Sequence, residues 1–550
     1  MSFDAWRKSG RAKGPQSRGT ILEPMHKSSE NGSRPIQLTI VFPPEMAEAK
    51  HGTGETQGSI IVRETSSGSQ IVSQFSDEMG ADTSSGAGPD SEQARRQEPS
   101  LSPQRKRKWY SLMDKVYAPA NLQQAWGRIK ANGGAAGIDG VTIARYAEGV
   151  DVHLPALGRD LKDKTYRPEA ARRVYIQKDS GGRRPLGIPT VRDRIVQQAL
   201  LQVLSPIFEA KFSNASHGFR PERGCATALA VVDRAVRHGY EWIVDADIAA
   251  FFDTVDHAKL IAALNEEIAD GRVLNLITRI LQAGVIEPNV GEMEPTRLGT
   301  PQGGPLSPLL ANVYLHHFDM RVKQAGYGAV RYADDFVIFA RSEAQANAAL
   351  QLVYEVLEGE LGLQVHPEKT RVVHIDTGFD FLGFRYYRDA KSNQLRKVVR
   401  RKSMLRFREA VRQRTPRMRN QRKPKASKFN PERLANNQRL KEMVGDLNRF
   451  LRGWHWYFKG IWLRHRYPFT DYDQFVRRRL RSALVGRTGN GWWSAQITNH
   501  RLQRLGLLSL NGLQAQYRQG QLDAPIRKDL FDGKLYAGNP HVRFGKAGSG

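Results

Sequence analysis

The sequence predicts an α+β protein: an antiparallel sheet with helices packed on one side, followed by a basic, mainly helical region. Residues 226–238 carry apolar side chains at helical spacing and end at a glycine. The next segment, EWIVDADI, is typical of a strand whose side chains alternate between two faces. The composition supports a separate basic region, because residues 391–440 contain 18 Lys and Arg against two Asp and Glu.

The first 104 residues differ from the rest of the chain. They contain polar, glycine-rich stretches such as HGTGETQG and DTSSGAGPDSEQ. Such stretches offer few large apolar side chains to offset the entropy that is lost when a chain becomes ordered. We therefore expect residues 1–104 to form a disordered extension, and we assign no function to it.

Residues 105–390 are predicted to hold the sheet and its helices, and residues 391–545 the basic helical region. Helical spacing recurs over 353–363, and strand patterns return at 371–375 and in FDFLGFRYY. In the EWIVDADI strand, Trp242, Val244 and Ala246 should face one way and Ile243, Asp245 and Asp247 the other.

The charge of the chain points to a polyanionic partner. The net charge is +28 and is carried by residues 101–550, since residues 1–100 have 11 basic and 13 acidic residues. Cations that neutralise phosphates release counterions and so favour nucleic acid. Cys225 is the single cysteine, which excludes internal disulfides and Cys-rich zinc sites. Neither a signal peptide nor a membrane span is evident, so we expect a soluble protein of the cytoplasm.

The stretch RYADDFVIFA sets two adjacent carboxylates, Asp334 and Asp335, between two strand-like arms. A hairpin that turns at Ala333–Asp334 would bring both acids to the rim of the sheet, where the strand ending in Asp247 supplies a third. Buried like charges raise each other's pKa, and Mg²⁺ bound by these oxygens would hold them ionised. Two such ions about 4 Å apart can catalyse nucleotidyl transfer. Asp245 is the competing third acid, and an exposed acidic turn is the simpler alternative.

Six motifs follow one another along the chain. They are GGRRPLGIPTVRDRIVQQAL (181–200), HGFRPERG (217–224), DIAAFFDTVDH (247–257), TPQGGPLSPLLANVYL (300–315), YADD (332–335) and LNRFLRGWHWYFKG (447–460). Together they resemble the reverse transcriptases, or maturases, that bacterial group II introns encode. The resemblance implies a right-hand polymerase, with fingers and palm over 105–390 and a helical thumb, or maturase (X) domain, over 391–545. Paired cysteines of an endonuclease module are missing after Cys225, so the resemblance is to members without that module.

The resemblance also implies roles for individual residues. It makes Asp247, Asp334 and Asp335 the catalytic, metal-binding acids, with the Ile248 carbonyl as a further ligand. The nucleotide-binding residues that it implies are Lys178, Arg184, Ile248, Phe252, Gln302, Gly303 and Lys369. FLGF at 381–384 resembles the primer grip.

Three of these nucleotide contacts have a specific expected chemistry. Lys178 and Arg184, on the two arms of a glycine-turned hairpin, would hold the triphosphate, although charge on a surface turn is the simpler explanation. Phe252 would exclude a 2′-hydroxyl and so select dNTPs, unless it is an ordinary core residue. Lys369 would donate a proton to the leaving pyrophosphate.

The Arg-rich stretch RQRTPRMRNQRKPK is expected to be an exposed segment that binds folded RNA. The predicted RNA contacts are Arg412, Arg414, Arg417, Arg419, Arg422, Lys423 and Lys425. A solvated run of charge is the alternative. The aromatic side chains of RGWHWYFKGIW are expected to pack mostly inside the thumb.

The expected function is RNA-directed DNA synthesis by a group II intron-encoded protein that also acts as splicing maturase and mobility factor. Its expected partners are an RNA template, the group II intron RNA, a DNA primer or target and dNTPs. Its expected cofactors are two Mg²⁺ ions, with Mn²⁺ as a substitute, and its location is the bacterial cytoplasm or nucleoid. Two alternatives stay open: a domesticated reverse transcriptase in defence, CRISPR spacer acquisition or repair, and an RNA-binding splicing cofactor without polymerase activity.

Overall fold

A computed structural model describes residues 108–177, 183–286, 298–300, 303–416, 438–462, 468–485 and 497–520. The helices are α1 (Met113–Tyr117), α2 (Pro119–Asn132), α3 (Ile143–Glu148), α4 (Val150–Lys162), α5 (Val191–Glu209), α6 (Cys225–Arg237), α7 (Phe251–Thr254), α8 (His257–Asn265), α9 (Gly271–Gln282), α10 (Ser307–Gln324), α11 (Glu343–Tyr354), α12 (Arg401–Arg414), α13 (Gln438–Phe458), α14 (Thr470–Val485), α15 (Asn499–Arg504) and α16 (Leu510–Arg518). A π-helical segment, Glu355–Leu361, continues α11. The predicted extension over 1–104 lies outside the described residues.

The strands form three sheets. They are β1 (Ala171–Gln177), β2 (Arg183–Ile188), β3 (Trp242–Asp247), β4 (Val285–Ile286), β5 (Gly328–Tyr332), β6 (Asp335–Ala340), β7 (Arg371–His374), β8 (Phe379–Phe381), β9 (Phe384–Asp389) and β10 (Gln394–Val399). The strand orders are β5-β6-β3-β7, β2-β1-β4 and β10-β9-β8. The first sheet is antiparallel throughout, as the sequence predicts.

Helices cover both faces of the β5-β6-β3-β7 sheet, so the prediction of helices on one side only is wrong. Helix α11 packs on one face, and α6 packs against β5 on the other. The physical reason lies in β6, where the run FVIFA is buried at every position. An unbroken apolar run, in contrast to strict alternation, is typical of a strand that is covered on both sides.

Each face of this sheet belongs to a different hydrophobic core. Val244 and Ala246 of β3 point into a core that includes α5, α10 and α11. Ile243 points into a second core, which joins α6, the strands β8 and β9, and the helices α12 to α16. The alternation predicted for this strand is therefore confirmed.

The hairpin β9–β10 crosses residue 390, the predicted boundary between palm and thumb. Phe384 and Tyr386 of β9 are buried in the same core as Phe407 of α12 and Leu447 of α13. The thumb helices thus continue the core that underlies the sheet. Among the described helices, none is long and apolar enough to cross a membrane.

Candidate active site

The β5–β6 hairpin turns at Ala333 and Asp334, as the sequence predicts. Tyr332 is the last residue of β5 and pairs with Asp335, the first residue of β6. Ala333 has φ of +61°, in the left-handed region. An L-residue in that region costs about 1–2 kcal/mol relative to its ordinary conformation. The turn that carries Asp334 is therefore held in place by contacts around it.

The structure brings Asp247 and the two turn acids to the same end of the sheet. Asp247 ends β3 and stands directly opposite Asp335 in the antiparallel ladder. Burial, with the negative charges of Asp245, Asp247 and Asp334, raises the pKa of Asp335 well above its ordinary value, against the opposing charge of Arg400. This end of the sheet thus carries carboxylates whose ionised forms repel each other.

Two cations partly compensate this charge. The Lys369 ammonium forms an ion pair with the Asp247 carboxylate, so this predicted nucleotide-binding residue lies at the acids. Arg371 pairs with Asp245 at 3.2 Å. Burial nevertheless raises the pKa of Asp245 to about 6, and Arg371 counteracts only part of that effect. Asp245 therefore has a partner of its own one pleat away from the acids at the strand ends.

The chemistry of these side chains fits a hard divalent cation. Asp247, Asp334 and Asp335 present only oxygen, which Mg²⁺ and similar ions prefer. The pKa of Asp335 is raised first by burial and then by neighbouring negative charge, which a bound cation would neutralise. Among the described residues, no three His, Cys, Asp or Glu side chains are arranged as a ready-made metal cage, and Asp247 is turned toward Lys369. One oxygen of the Asp247 carboxylate is therefore engaged by the Lys369 ammonium, and a bound ion would share this carboxylate with it or displace it.

The segment after Asp247 is held by backbone contacts. The Asp247 carbonyl accepts a hydrogen bond from the His366 amide at 2.8 Å. Ile248 follows with a buried side chain and a bridge to Val365. Phe252, on α7, is half-buried and meets Phe251 edge-on with ring centroids 5.2 Å apart. Phe251 is buried in the core, so of the two side chains Phe252 is the more accessible to solvent.

The PQGG motif touches the fingers strand β2. Gly303 has φ of +138°, and a Cβ built on it would lie 2.3 Å from the Gly187 carbonyl oxygen. Arg184 lies on β2 opposite Ile176, and its side chain is outside the described part of the structure. Lys178 and Gln302 also lie outside the described residues. The structure thus brings Gly303 and β2 together, and the nucleotide contacts of Lys178, Arg184 and Gln302 remain predictions.

The described part of the predicted RNA-binding stretch lies at the end of α12. Arg412 pairs with Glu409 at 3.1 Å and stacks over Phe475. Arg414 pairs with Asp446 at 3.4 Å and lies over the Phe450 ring. The other five cations, Arg417, Arg419, Arg422, Lys423 and Lys425, are outside the described residues. Arg412, with a half-exposed side chain, is more accessible than Arg414.

Sequence reasoning missed a link between the thumb and the turn of FLGF. Leu382 and Gly383, with φ of +43° and +87°, connect β8 to β9. The Tyr457 hydroxyl, from α13, donates a hydrogen bond to the Leu382 carbonyl at 2.8 Å. The sequence predicts the aromatic residues of this helix only as packing, and its spacing gives no sign of a polar contact to a distant turn.

The antiparallel sheet with three acids at one end, flanked by a fingers hairpin and a helical thumb, defines the palm of a right-hand polymerase. Comparison with known proteins gives the family. Residues 176–386 match the family described as reverse transcriptase (RNA-dependent DNA polymerase). Protein YkfC of Escherichia coli K12 is 36% identical to this chain, over 46% of this chain and 76% of YkfC.

Two further relatives have names that refer to introns. The group II intron-encoded protein LtrA of Lactococcus lactis subsp. cremoris is 47% identical over 30% of this chain, although the match covers only 27% of LtrA. Nuclear intron maturase 1, mitochondrial, of Arabidopsis thaliana is 38% identical over 17% of this chain and 13% of that protein. The chain belongs to the reverse transcriptase family, and over the matched parts it is similar to a group II intron-encoded protein and to an intron maturase.

Solved structures give weaker matches. A chain of a partial Cas6-RT-Cas1–Cas2 complex is 27% identical with a TM-score of 0.30, over 48% of this chain and 44% of that one. Telomerase from Candida albicans is 13% identical with a TM-score of 0.34, over 66% of both chains. Similarity at this level adds nothing to the family assignment.

Proposed function

We propose that this protein synthesises DNA on an RNA template with Asp247, Asp334 and Asp335 as its catalytic, metal-binding acids. The single observation that supports this best is the direct pairing of Asp247 with Asp335 at the ends of the two central strands, beside the turn that carries Asp334. Reverse transcriptases use divalent metal ions, and we propose two Mg²⁺ ions, replaceable by Mn²⁺. When bound, such ions lower the pKa of the attacking 3′-hydroxyl and stabilise the leaving pyrophosphate.

The protein's own residues would bind and orient the nucleotide. Phe252, whose side chain is half-buried, would close the sugar pocket to a 2′-hydroxyl and so select dNTPs. Gly303 would let the backbone approach the nucleotide closely, since it has no side chain to intervene. The Lys369 ammonium, which pairs with Asp247, would protonate the leaving pyrophosphate.

We propose that a group II intron RNA is the second substrate of the chain and that the protein assists its splicing and mobility. The basic excess of residues 101–550 and the relation to LtrA support this partner. Arg412 and the cations that follow it along the chain would contact RNA phosphates. We place this activity in the bacterial cytoplasm. The relatives' names do not favour a domesticated enzyme or a cofactor without polymerase activity.

Primer extension on an RNA template tests the polymerase. With Mg²⁺ and dNTPs the wild type should make cDNA, and Asp335→Asn and Asp247→Asn should each lose this activity, because each removes a charged ligand. Asp245→Asn is the matched control, since Asp245 lies on the same strand and has Arg371 as its partner. A wild type without cDNA, or an active Asp335→Asn, would contradict the proposal. An inactive Asp245→Asn beside an active Asp247→Asn would assign the third acid to Asp245.

RNA that copurifies with the protein tests the intron partner. A natively purified wild type should carry one dominant structured RNA whose ends flank this reading frame. A mixed RNA pool would contradict the maturase proposal and support a domesticated polymerase. The Asp335→Asn protein should retain the same RNA, because the acid serves polymerisation and lies in the palm.

A further inference from the structure

A buried arginine that has no role in the proposed reaction contacts the turn formed by Ala333 and Asp334, which we call the catalytic turn. Arg331 lies two residues before Ala333, the first residue of the turn, and is 1% exposed. Its side chain runs beneath the turn to the carbonyl of the strained residue Ala333. Building on the proposed function, we propose that Arg331 is a positioning residue, whose guanidinium fixes the Ala333 carbonyl and thereby places Asp334 and Asp335.

All five donors of the Arg331 guanidinium are used. Nε and one Nη donate to the two oxygens of Asp319 at 2.7 and 2.5 Å, and the same Nη donates to Ser216 Oγ at 3.0 Å. The other Nη donates to Asn312 Oδ1 at 3.1 Å and to the Ala333 carbonyl at 2.9 Å. Since guanidinium has five N–H groups, each has an acceptor and the group is locked in one orientation.

The partners of Arg331 are themselves rigid. Asp319 and Asn312 lie on the buried side of α10, and both are nearly inaccessible to solvent, as is Ser216. Asn312 uses its amide group to donate to the Gly218 carbonyl at 2.8 Å. The network therefore connects the helix of the PQGG motif, the loop of the HGFRPERG motif and the catalytic turn.

The HGFRPERG loop also contacts the turn through its backbone. The His217 amide donates to the Arg331 carbonyl, and the Arg331 amide donates to the Ala215 carbonyl, each at 2.8 Å. Gly218 lies so close that a Cβ on it would be 2.5 Å from the Ala333 amide nitrogen. The loop and the guanidinium thus hold the turn from two directions.

The role of Arg331 is geometric, because its charge is already matched. The paired Asp319 carboxylate neutralises the guanidinium within the same buried network. A lysine would keep the positive charge but has three donors on a single nitrogen and cannot reproduce the planar fork. Arg331→Lys therefore keeps the buried positive charge and removes the hydrogen-bond geometry that positions the turn.

Arg220→Lys is the matched control. Arg220 is a second buried arginine with a carboxylate partner, Glu209, at 2.7 and 2.9 Å. Its backbone acceptors are the carbonyls of Ser213, Ser216 and Glu209, at 2.6, 2.9 and 3.5 Å, and do not include Ala333. The control therefore repeats the substitution in the HGFRPERG loop without removing the donor to the Ala333 carbonyl.

The test measures Mn²⁺ binding by the loss of the free-ion EPR signal, together with kcat, KM for dNTP and affinity for primer–template. Arg331→Lys should weaken Mn²⁺ binding and lower kcat by about 10–100-fold, the range for partners that orient metal ligands, with primer–template affinity unchanged. Arg220→Lys should lower the thermal midpoint with less than a threefold change in Mn²⁺ binding. Equal losses in both variants, or wild-type Mn²⁺ binding in Arg331→Lys, would overturn the inference.

A rescue experiment tests the route through Ala333. Glycine adopts positive φ without strain, so adding Ala333→Gly to Arg331→Lys should recover part of the Mn²⁺ binding. If the double variant binds Mn²⁺ no more tightly than Arg331→Lys alone, Arg331 does not act through the conformation of Ala333. If Arg331→Lys does not fold, Ser216→Ala, which removes one acceptor, should weaken Mn²⁺ binding several-fold, and an unchanged affinity would overturn the inference. A wild type whose Mn²⁺ binding does not depend on Asp335 would instead refute the proposed metal site.

Discussion

The contact between Gly303 and the fingers strand gives a prediction that depends on two neighbouring glycines. A Cβ on Gly303 would lie 2.3 Å from the backbone oxygen of Gly187, and the residue has φ of +138°. A Cβ on Gly304 would lie equally close to Gln197, but only to the end of its side chain, and Gly304 has no positive φ. The same substitution at these two positions therefore meets backbone in one case and a movable amide in the other.

The expected cost of Gly303→Ala follows from these two conflicts. An L-residue forced into a sparsely populated region costs about 1–3 kcal/mol, and overpacking against an immovable neighbour costs about 1–3 kcal/mol more. We expect a total of about 2–6 kcal/mol, reduced if the PQGG segment moves away from β2. For Gly304→Ala, rotation of the Gln197 amide relieves the contact, and we expect about 1 kcal/mol.

Two measurements separate stability from nucleotide binding. The thermal midpoint of Gly303→Ala should fall below that of Gly304→Ala, which should itself lie slightly below the wild type. At a temperature where all three proteins are folded, Gly303→Ala should also raise KM for dNTP, because relief of the clash separates the PQGG motif from β2. Primer–template affinity should not change, since Gly303 contacts the fingers strand and not the thumb.

The comparison between the two variants can refute this reasoning. If Gly304→Ala is as destabilising as Gly303→Ala, the close approach to Gly187 is not the controlling contact. If Gly303→Ala loses stability but keeps the wild-type KM for dNTP, the contact maintains the fold and Gly303 has no part in the nucleotide pocket.

Three further predictions concern the same end of the molecule. Tyr457→Phe removes the donor to the Leu382 carbonyl, so it should cost about 1 kcal/mol of stability and raise KM for primer with little change in kcat, as a primer titration would show. Gly218→Ala should displace the Ala333 amide and reduce kcat by about 100-fold in primer extension, and near-wild-type turnover would show that the turn tolerates this movement. Asp335→Asn should stabilise the metal-free protein. Because the pKa of Asp335 is raised in the folded state, ionisation of this carboxyl destabilises the fold. The gain in thermal midpoint should therefore be present near pH 8 and vanish as the pH approaches about 4, the pKa of an aspartate in the unfolded chain.

The sequence predicts the catalytic turn because local chemistry determines it. Two acids between apolar strand-like arms are stable only where the chain turns at a sheet edge, and the structure has the turn at Ala333 and Asp334. The strand ending in Asp247 is predicted for the same reason. Covering of both sheet faces was not predicted, although the unbroken run FVIFA carries that information.

The network around Arg331 could not be predicted from spacing. Its partners Asp319, Asn312 and Ser216 lie 12, 19 and 115 residues away along the chain. Only the packing of α10 under the sheet brings them together, and no periodic pattern marks a buried arginine in advance. The Tyr457 contact to Leu382, across 75 residues, has the same origin.

The position of the turn between two cores explains how the fold tolerates acids that repel each other. Tyr332 and Ala333 pack in the core that contains the thumb helices, whereas Phe336 and Ile338 pack in the core of α10 and α11. Val337 and Phe339 of β6 also pack in the core of the thumb helices, so the β6 arm is fixed by both sets of apolar contacts. The acids at the turn therefore cannot move apart without disturbing one of the two cores. Since the thumb helix α13 shares a core with Tyr332, a change in the packing of that helix should be transmitted to the catalytic turn. We therefore expect that RNA bound at the proposed thumb contacts would influence the acids through side-chain packing, with no contact of its own to them.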